Sequence, residues 1–155
     1  MARLATLLAA GAVLYMAHEP LRCARRVAAR RDADARRRLA VALLTAVRAL
    51  DAAAVPYALA GATARDVAAG EAPRASDALD FAAYRADGDW AAVHDWALRH
   101  GLVADGGAPT AASASLRYRH PATGTTVRVA LRRADGPPRA ARAVAFRGRE
   151  LACEP

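Results

Sequence analysis

The sequence predicts an α/β fold, of the α+β kind, in which helices flank a small mixed β-sheet and an N-terminal helical arm precedes it. Three observations support this fold class. Apolar residues recur at steps of four, four and three between Leu39 and Leu50, which is the buried face of an amphipathic helix. Short apolar stretches and a second helical pattern alternate between residues 55 and 101. Two further strand-like segments flank Pro121–Gly124, which predicts a hairpin.

The basic charge is confined to the N-terminal section. All 23 basic residues are arginine and the chain contains no lysine, as expected from GC-rich codon usage. Residues 1–50 hold ten arginines and three acids, a net charge of +7, whereas residues 51–155 hold thirteen arginines and twelve acids, a net charge of +1. We therefore divide the chain into an arm, residues 1–38, and one globular domain, residues 39–155.

The arm begins with an apolar run, Leu4–Ala17, and continues with eight arginines and two aspartates between Arg22 and Arg38. Fourteen helical residues cover roughly 21 Å, less than the ~30 Å of a bilayer core. Apolar residues followed by arginines predict a cytoplasmic domain held at an anionic membrane surface through residues 1–38. Three alternatives stay open: a helix packed on this protein or a protein partner, a cleaved signal sequence, and binding of nucleic acid by the clustered arginines.

The elements of the domain follow in order. A helix from Leu39 ends near Ala54 and is stopped by Pro56. The stretch Val55–Gly61 predicts a buried strand and a glycine turn. The remaining predicted elements are a helix at Ala62–Ala69, a strand at Leu79–Tyr84, a helix at Asp89–His100, a hairpin of Leu116–His120 with Thr125–Arg132, and a β-pair around Phe146–Leu151.

The spacing of the cysteines and histidines does not indicate a metal site or a redox site. Cys23 and Cys153 are far apart and belong to no CxxC motif. The four histidines are scattered singly, and none accompanies a nucleophile motif. We therefore expect two reduced thiols and no catalytic histidine.

Several stretches resemble the nucleotidyltransferase superfamily, especially its small bacterial members from toxin–antitoxin and phage-defence systems. VPYALAGATA corresponds to the family's strand and glycine turn, and RASDALDF to its Arg-x-Thr-x-Asp-x-Asp segment. HDWALRHGL, TTVRVALRR and FRGRELACEP correspond to a helix, the strand with the third acid and the closing strand. The resemblance extends from about Leu39 to Pro155.

The resemblance implies Mg²⁺-assisted nucleotidyl transfer, in which two acids on one strand and a third on its neighbour hold the metal. Asp80 matches the second acid and is the candidate catalytic and metal-binding residue. Ala78 stands at the first acidic position. Residues 117–134 contain no acid, so that Arg128, Val129 or Ala130 replaces the third. One carboxylate of three predicts a degenerate active site.

The first hypothesis is therefore a catalytically degenerate module that binds a nucleotide or an RNA phosphate without a cofactor. The resemblance assigns six residues to phosphate binding: Gly61, Ala62, Thr63, Arg74, Ser76 and Arg128. For Arg128, taken by itself, we favour the interpretation as a surface charge. The second hypothesis is an active enzyme that uses Mg²⁺ with Asp77 and Asp80, and Glu150 or Glu154 as third acid. The third is a membrane-tethered module that binds a protein partner.

Overall fold

The computed structural model describes residues 22–71, 73, 78–110 and 112–155 with their side chains, and residues 2–21 by the course of their backbone. The chain divides into two compact units, Met1–Ala35 and Arg36–Pro155. All residues from 22 to 34 are exposed, whereas the second unit contains the core.

The first helix, α1, runs from Ala2 to Ala52. Its last part buries Leu39, Leu43, Val47 and Leu50, as the apolar spacing predicted. The helix ends where Ala54 takes a left-handed conformation with φ of 51° and the N–H of Val55 donates to the carbonyl of Leu50. In the part of the chain described, no helix is long and apolar enough to cross a membrane.

The strands form one mixed sheet in the order β3-β4-β5-β2-β1-β7-β6. β1 pairs antiparallel with β2 and parallel with β7, and β2 pairs parallel with β5. The bounds are β1 Tyr57–Leu59, α2 Gly61–Ala68, β2 Ala78–Tyr84, α3 Ala91–Arg99, β3 Val103–Ala104, β4 Ser115–Arg119, β5 Thr126–Arg132, β6 Arg142–Phe146 and β7 Arg149–Cys153. The predicted mixed α/β fold is confirmed; β3, only two residues long, was not predicted.

The two faces of the sheet have different surroundings because side chains alternate along each strand. Leu79 and Phe81 of β2 and Val127 and Val129 of β5 face the core, together with the C-terminal part of α1 and residues of α2 and α3. Side chains at the alternate positions, including Asp80, project from the opposite face. The candidate site lies on this second face, beside the turn between β1 and α2.

Candidate functional site

Gly61 forms a tight turn between β1 and α2. Its φ of +56° lies in the left-handed region, where a side chain is strained. The preceding residue ties the turn to β2, since the N–H of Ala60 donates to the carbonyl of Asp80 at 3.0 Å. The turn therefore places Gly61, and the exposed start of α2, directly against Asp80.

Thr63 stabilises the same turn through a buried hydrogen bond. Its side chain is buried, and its Oγ1 accepts a 3.0 Å hydrogen bond from the backbone N–H of Asp80. The bond gives Thr63 a structural role, because it joins the first turn of α2 to the middle of β2. The assignment of Thr63 to phosphate binding stays a prediction.

Asp80 is paired with Arg128. In the parallel ladder Asp80 of β2 lies opposite Arg128 of β5. Nε and Nη2 of Arg128 donate to the two carboxylate oxygens at 2.7 and 3.2 Å. This two-point contact matches the planar geometry of guanidinium and carboxylate. Of the three positions that could replace the third acid, Arg128 lies opposite Asp80 on the same face, whereas Val129 faces the core.

A second arginine extends the site on the neighbouring strand. Arg117 of β4 lies opposite Arg128, so that Arg117, Arg128 and Asp80 form a row across three strands. The row lines a cleft of about 340 Å³, together with Ser115. Two arginines and one aspartate are the charged lining residues, which leaves one net positive charge. Arg128 keeps 51% of its side chain exposed and faces this cleft.

The described residues do not fit a magnesium site. They contain no group of three or more Asp, Glu, His or Cys side chains that could hold a metal ion. Mg²⁺ requires carboxylate or other oxygen ligands in octahedral geometry, and the carboxylate of Asp80 is occupied by a guanidinium. Asp80 is therefore the one carboxylate that the described residues offer at this cleft, and Arg128 already binds it.

The two glutamates considered as a third acid are engaged elsewhere. Glu154 accepts a short hydrogen bond from the hydroxyl of Tyr84, whose pKa is raised by burial and by this carboxylate. The N–H of Glu154 donates to the carbonyl of Leu59, which places Glu154 two strand spacings from Asp80, roughly 10 Å. Glu150 lines a different cleft, with Asp51 and Tyr57.

Three predicted site residues, Arg74, Ser76 and Asp77, lie outside the described residues. Gly61, Ala62 and Thr63 begin α2, where Gly61 and Thr63 contact Asp80. The cleft beside Arg117 and Arg128 is lined by Asp80 and Ala60 rather than by these three residues. Sequence reasoning missed Arg117 and Ser115. Counting back from the turn at Pro121–Gly124 pairs position 117 with 128, so that hairpin register was the available signal.

Solved structures match the architecture. The solution structure of the antibiotic-resistance factor ANT(2'')-Ia matches with a TM-score of 0.55 and 15% identity, over 72% of this chain and 62% of that one. The fold is nucleotidyltransferase-like. The crystal structure of ANT(2'')-Ia in complex with adenylyl-2''-tobramycin matches with a TM-score of 0.56 and 14% identity, over 74% of this chain and 68% of that one.

At this level of identity the matches show a shared fold. The chain spans 62% of the first of these structures and 68% of the second. No protein-family model matches the chain, and no curated protein matches it. What the cleft of this nucleotidyltransferase-like fold can bind therefore depends on the charged residues that line it, Asp80, Arg117 and Arg128.

Proposed function

We propose that this chain is a catalytically degenerate nucleotidyltransferase-fold module whose cleft binds the phosphate group of a nucleotide without a divalent metal. The observation that carries the proposal is the two-point contact of Arg128 with Asp80. A cation stands where the resemblance implies the third acid. The remaining acid is therefore neutralised by the protein itself.

The pairing disfavours metal binding in two ways. A Mg²⁺ ion would have to displace the guanidinium, and the displaced charge would remain close to the ion and repel it. Among the described residues, Asp80 is the one carboxylate that lines this cleft, whereas a two-metal site of the kind implied by the resemblance uses three. The surroundings of Asp80 therefore support loss of metal-dependent transfer.

The same residues favour an anion. A guanidinium carries five N–H donors, and Arg128 uses two of them on Asp80. Arg117 lies beside it in the ladder, and the cleft of about 340 Å³ falls in the range of small-molecule sites. Two arginines on adjacent strands can contact one phosphate group through charge-assisted hydrogen bonds. The proposed ligand is a nucleotide; an RNA phosphate offers the same chemistry.

Titration of full-length protein with ATP and GTP in EDTA tests the binding. We expect binding that is retained without metal and weakened about tenfold by Arg117→Gln or Arg128→Gln, the loss of about one charge-assisted hydrogen bond. Arg142→Gln is the matched control, because it removes the same charge at the exposed start of β6, the edge strand at one end of the sheet. A short single-stranded RNA in the same titration distinguishes the two sources of phosphate.

A transfer assay with α-labelled nucleotide and Mg²⁺ or Mn²⁺ tests the loss of catalysis. We expect no metal-dependent transfer. Turnover that requires metal and disappears in Asp80→Asn would establish an active enzyme and refute degeneracy. Absence of nucleotide and RNA binding under both conditions would refute the binding role while leaving degeneracy in place.

A further inference from the structure

The first unit presents a basic face on α1. Arg22, Arg25, Arg26 and Arg30 follow the spacing i, i+3, i+4 and i+8, which places them on one side of a helix. All four are exposed. At 1.5 Å per residue, the first and last are separated by roughly 12 Å along the axis. We call these four residues the basic face.

Charge is concentrated at this place. The basic face holds four of the five arginines of residues 22–31, a segment without acids and with a net charge of +5, whereas residues 51–155 carry only +1. Attraction to a polyanion is screened within about 10 Å at ordinary salt, so that a compact cluster acts where a dispersed charge does not. In the described part of the chain, the basic face is therefore the strongest candidate for binding an anionic surface.

We propose that the basic face binds an anionic phospholipid surface. The same helix carries Leu4–Ala17, an uncharged apolar stretch that four residues, one of them Glu19, separate from Arg22. Apolar residues followed by cations suit a bilayer interface, which takes up the apolar side chains and attracts the cations to its headgroups. A nucleic acid would use the arginines alone.

The composition of the arm also favours a phospholipid membrane over a nucleic acid as the ligand. Among the arginines, residues 22–38 contain no Phe, Tyr, Trp or His, and the tyrosine of the arm, Tyr15, belongs to the apolar run. Stacking on aromatic side chains is a main source of affinity for single-stranded nucleic acid. The apolar run of 14 residues covers roughly 21 Å, less than a ~30 Å bilayer core. The binding mode inferred is therefore association with the membrane surface.

The test is vesicle co-sedimentation of the full-length protein. Vesicles of phosphatidylcholine alone are compared with vesicles in which about one third of the lipid is phosphatidylglycerol. We expect binding to the anionic vesicles that falls with increasing NaCl, and at least about tenfold weaker binding to the neutral ones. Equal binding to both would overturn the proposal.

Two double variants of equal charge test the face. Arg22→Gln with Arg26→Gln removes two charges from the basic face, and we expect about 30-fold weaker vesicle binding. Arg31→Gln with Arg38→Gln is the control, because it removes the same charge at two exposed positions outside the basic face: Arg31 lies on the other side of the helix in the first unit, and Arg38 belongs to the second unit. The control should change binding by less than about threefold.

Two outcomes would refute the basic face as a lipid site. Equal losses in the two variants would show that only total charge matters. A loss confined to binding of a short RNA, with vesicle binding unchanged, would assign the face to nucleic acid. Circular dichroism of each variant should match the parent protein, so that a loss of binding is not a loss of helix.

Discussion

Gly61 lies against the carboxylate of Asp80: a Cβ added to Gly61 would stand 3.3 Å from Oδ2 of Asp80. Two features of this position favour glycine. Its φ of +56° favours a residue without a side chain, and the space beside it is already filled by the acid that pairs with Arg128. The turn and the ion pair are therefore one structural unit.

We predict that Gly61→Ala destabilises the protein by about 2 kcal/mol, measured by urea unfolding. Roughly 1 kcal/mol comes from the left-handed backbone and the rest from displacement of Asp80. Gly124→Ala is the control, because Gly124 has a φ of +70° with nothing within 4 Å of the added Cβ. Gly124→Ala should lower the free energy of unfolding only by the backbone contribution of roughly 1 kcal/mol. Equal losses at the two positions would show that the contact with Asp80 is not felt.

We predict that Ala78→Asp combined with Arg128→Asp creates a metal site. Positions 78 and 80 lie on the same face of β2, and position 128 lies opposite 80, so that three carboxylates would converge. Without metal they repel one another and lower the melting temperature, and Mn²⁺ should restore it by several degrees. Terbium luminescence measures the binding directly.

The matched control for this metal site is Ala78→Asn with Arg128→Asn, which has the same shape and no added charge. This control variant should bind neither Mn²⁺ nor terbium. If the aspartate variant folds and also binds no metal, then the missing acids at positions 78 and 128 are not the only difference between this cleft and a metal-binding site. The surrounding geometry would then differ as well.

We predict that the two thiols react at very different rates with a disulfide reagent at pH 8. Cys23 is exposed, whereas Cys153 is 3% exposed and burial raises the pKa of its thiol. A raised pKa leaves less thiolate at a given pH, so that Cys153 should react slowly and its rate should keep rising at higher pH. Cys23→Ser should remove the fast phase alone. Two fast thiols would contradict the burial of β7.

The order of the elements could be predicted from local patterns, and the site only in part. Apolar spacing located α3 and the part of α1 that begins at Leu39, and short apolar segments bounded by turns located the longer strands. β3 carries too few residues for a periodic signal. The role of Arg117 required the register of a hairpin, and the engagement of Thr63 by the N–H of Asp80 required a contact between residues 17 positions apart.

The sequence by itself determined which chemistry the strands can offer: one acid at position 80, alanine at 78 and no acid from 117 to 134. Only the tertiary structure decided that Arg128, and neither Val129 nor Ala130, binds this acid. The reason is physical. The partner of Asp80 is set by the register of two parallel strands 48 residues apart, and that register depends on the packing of both strands against the core.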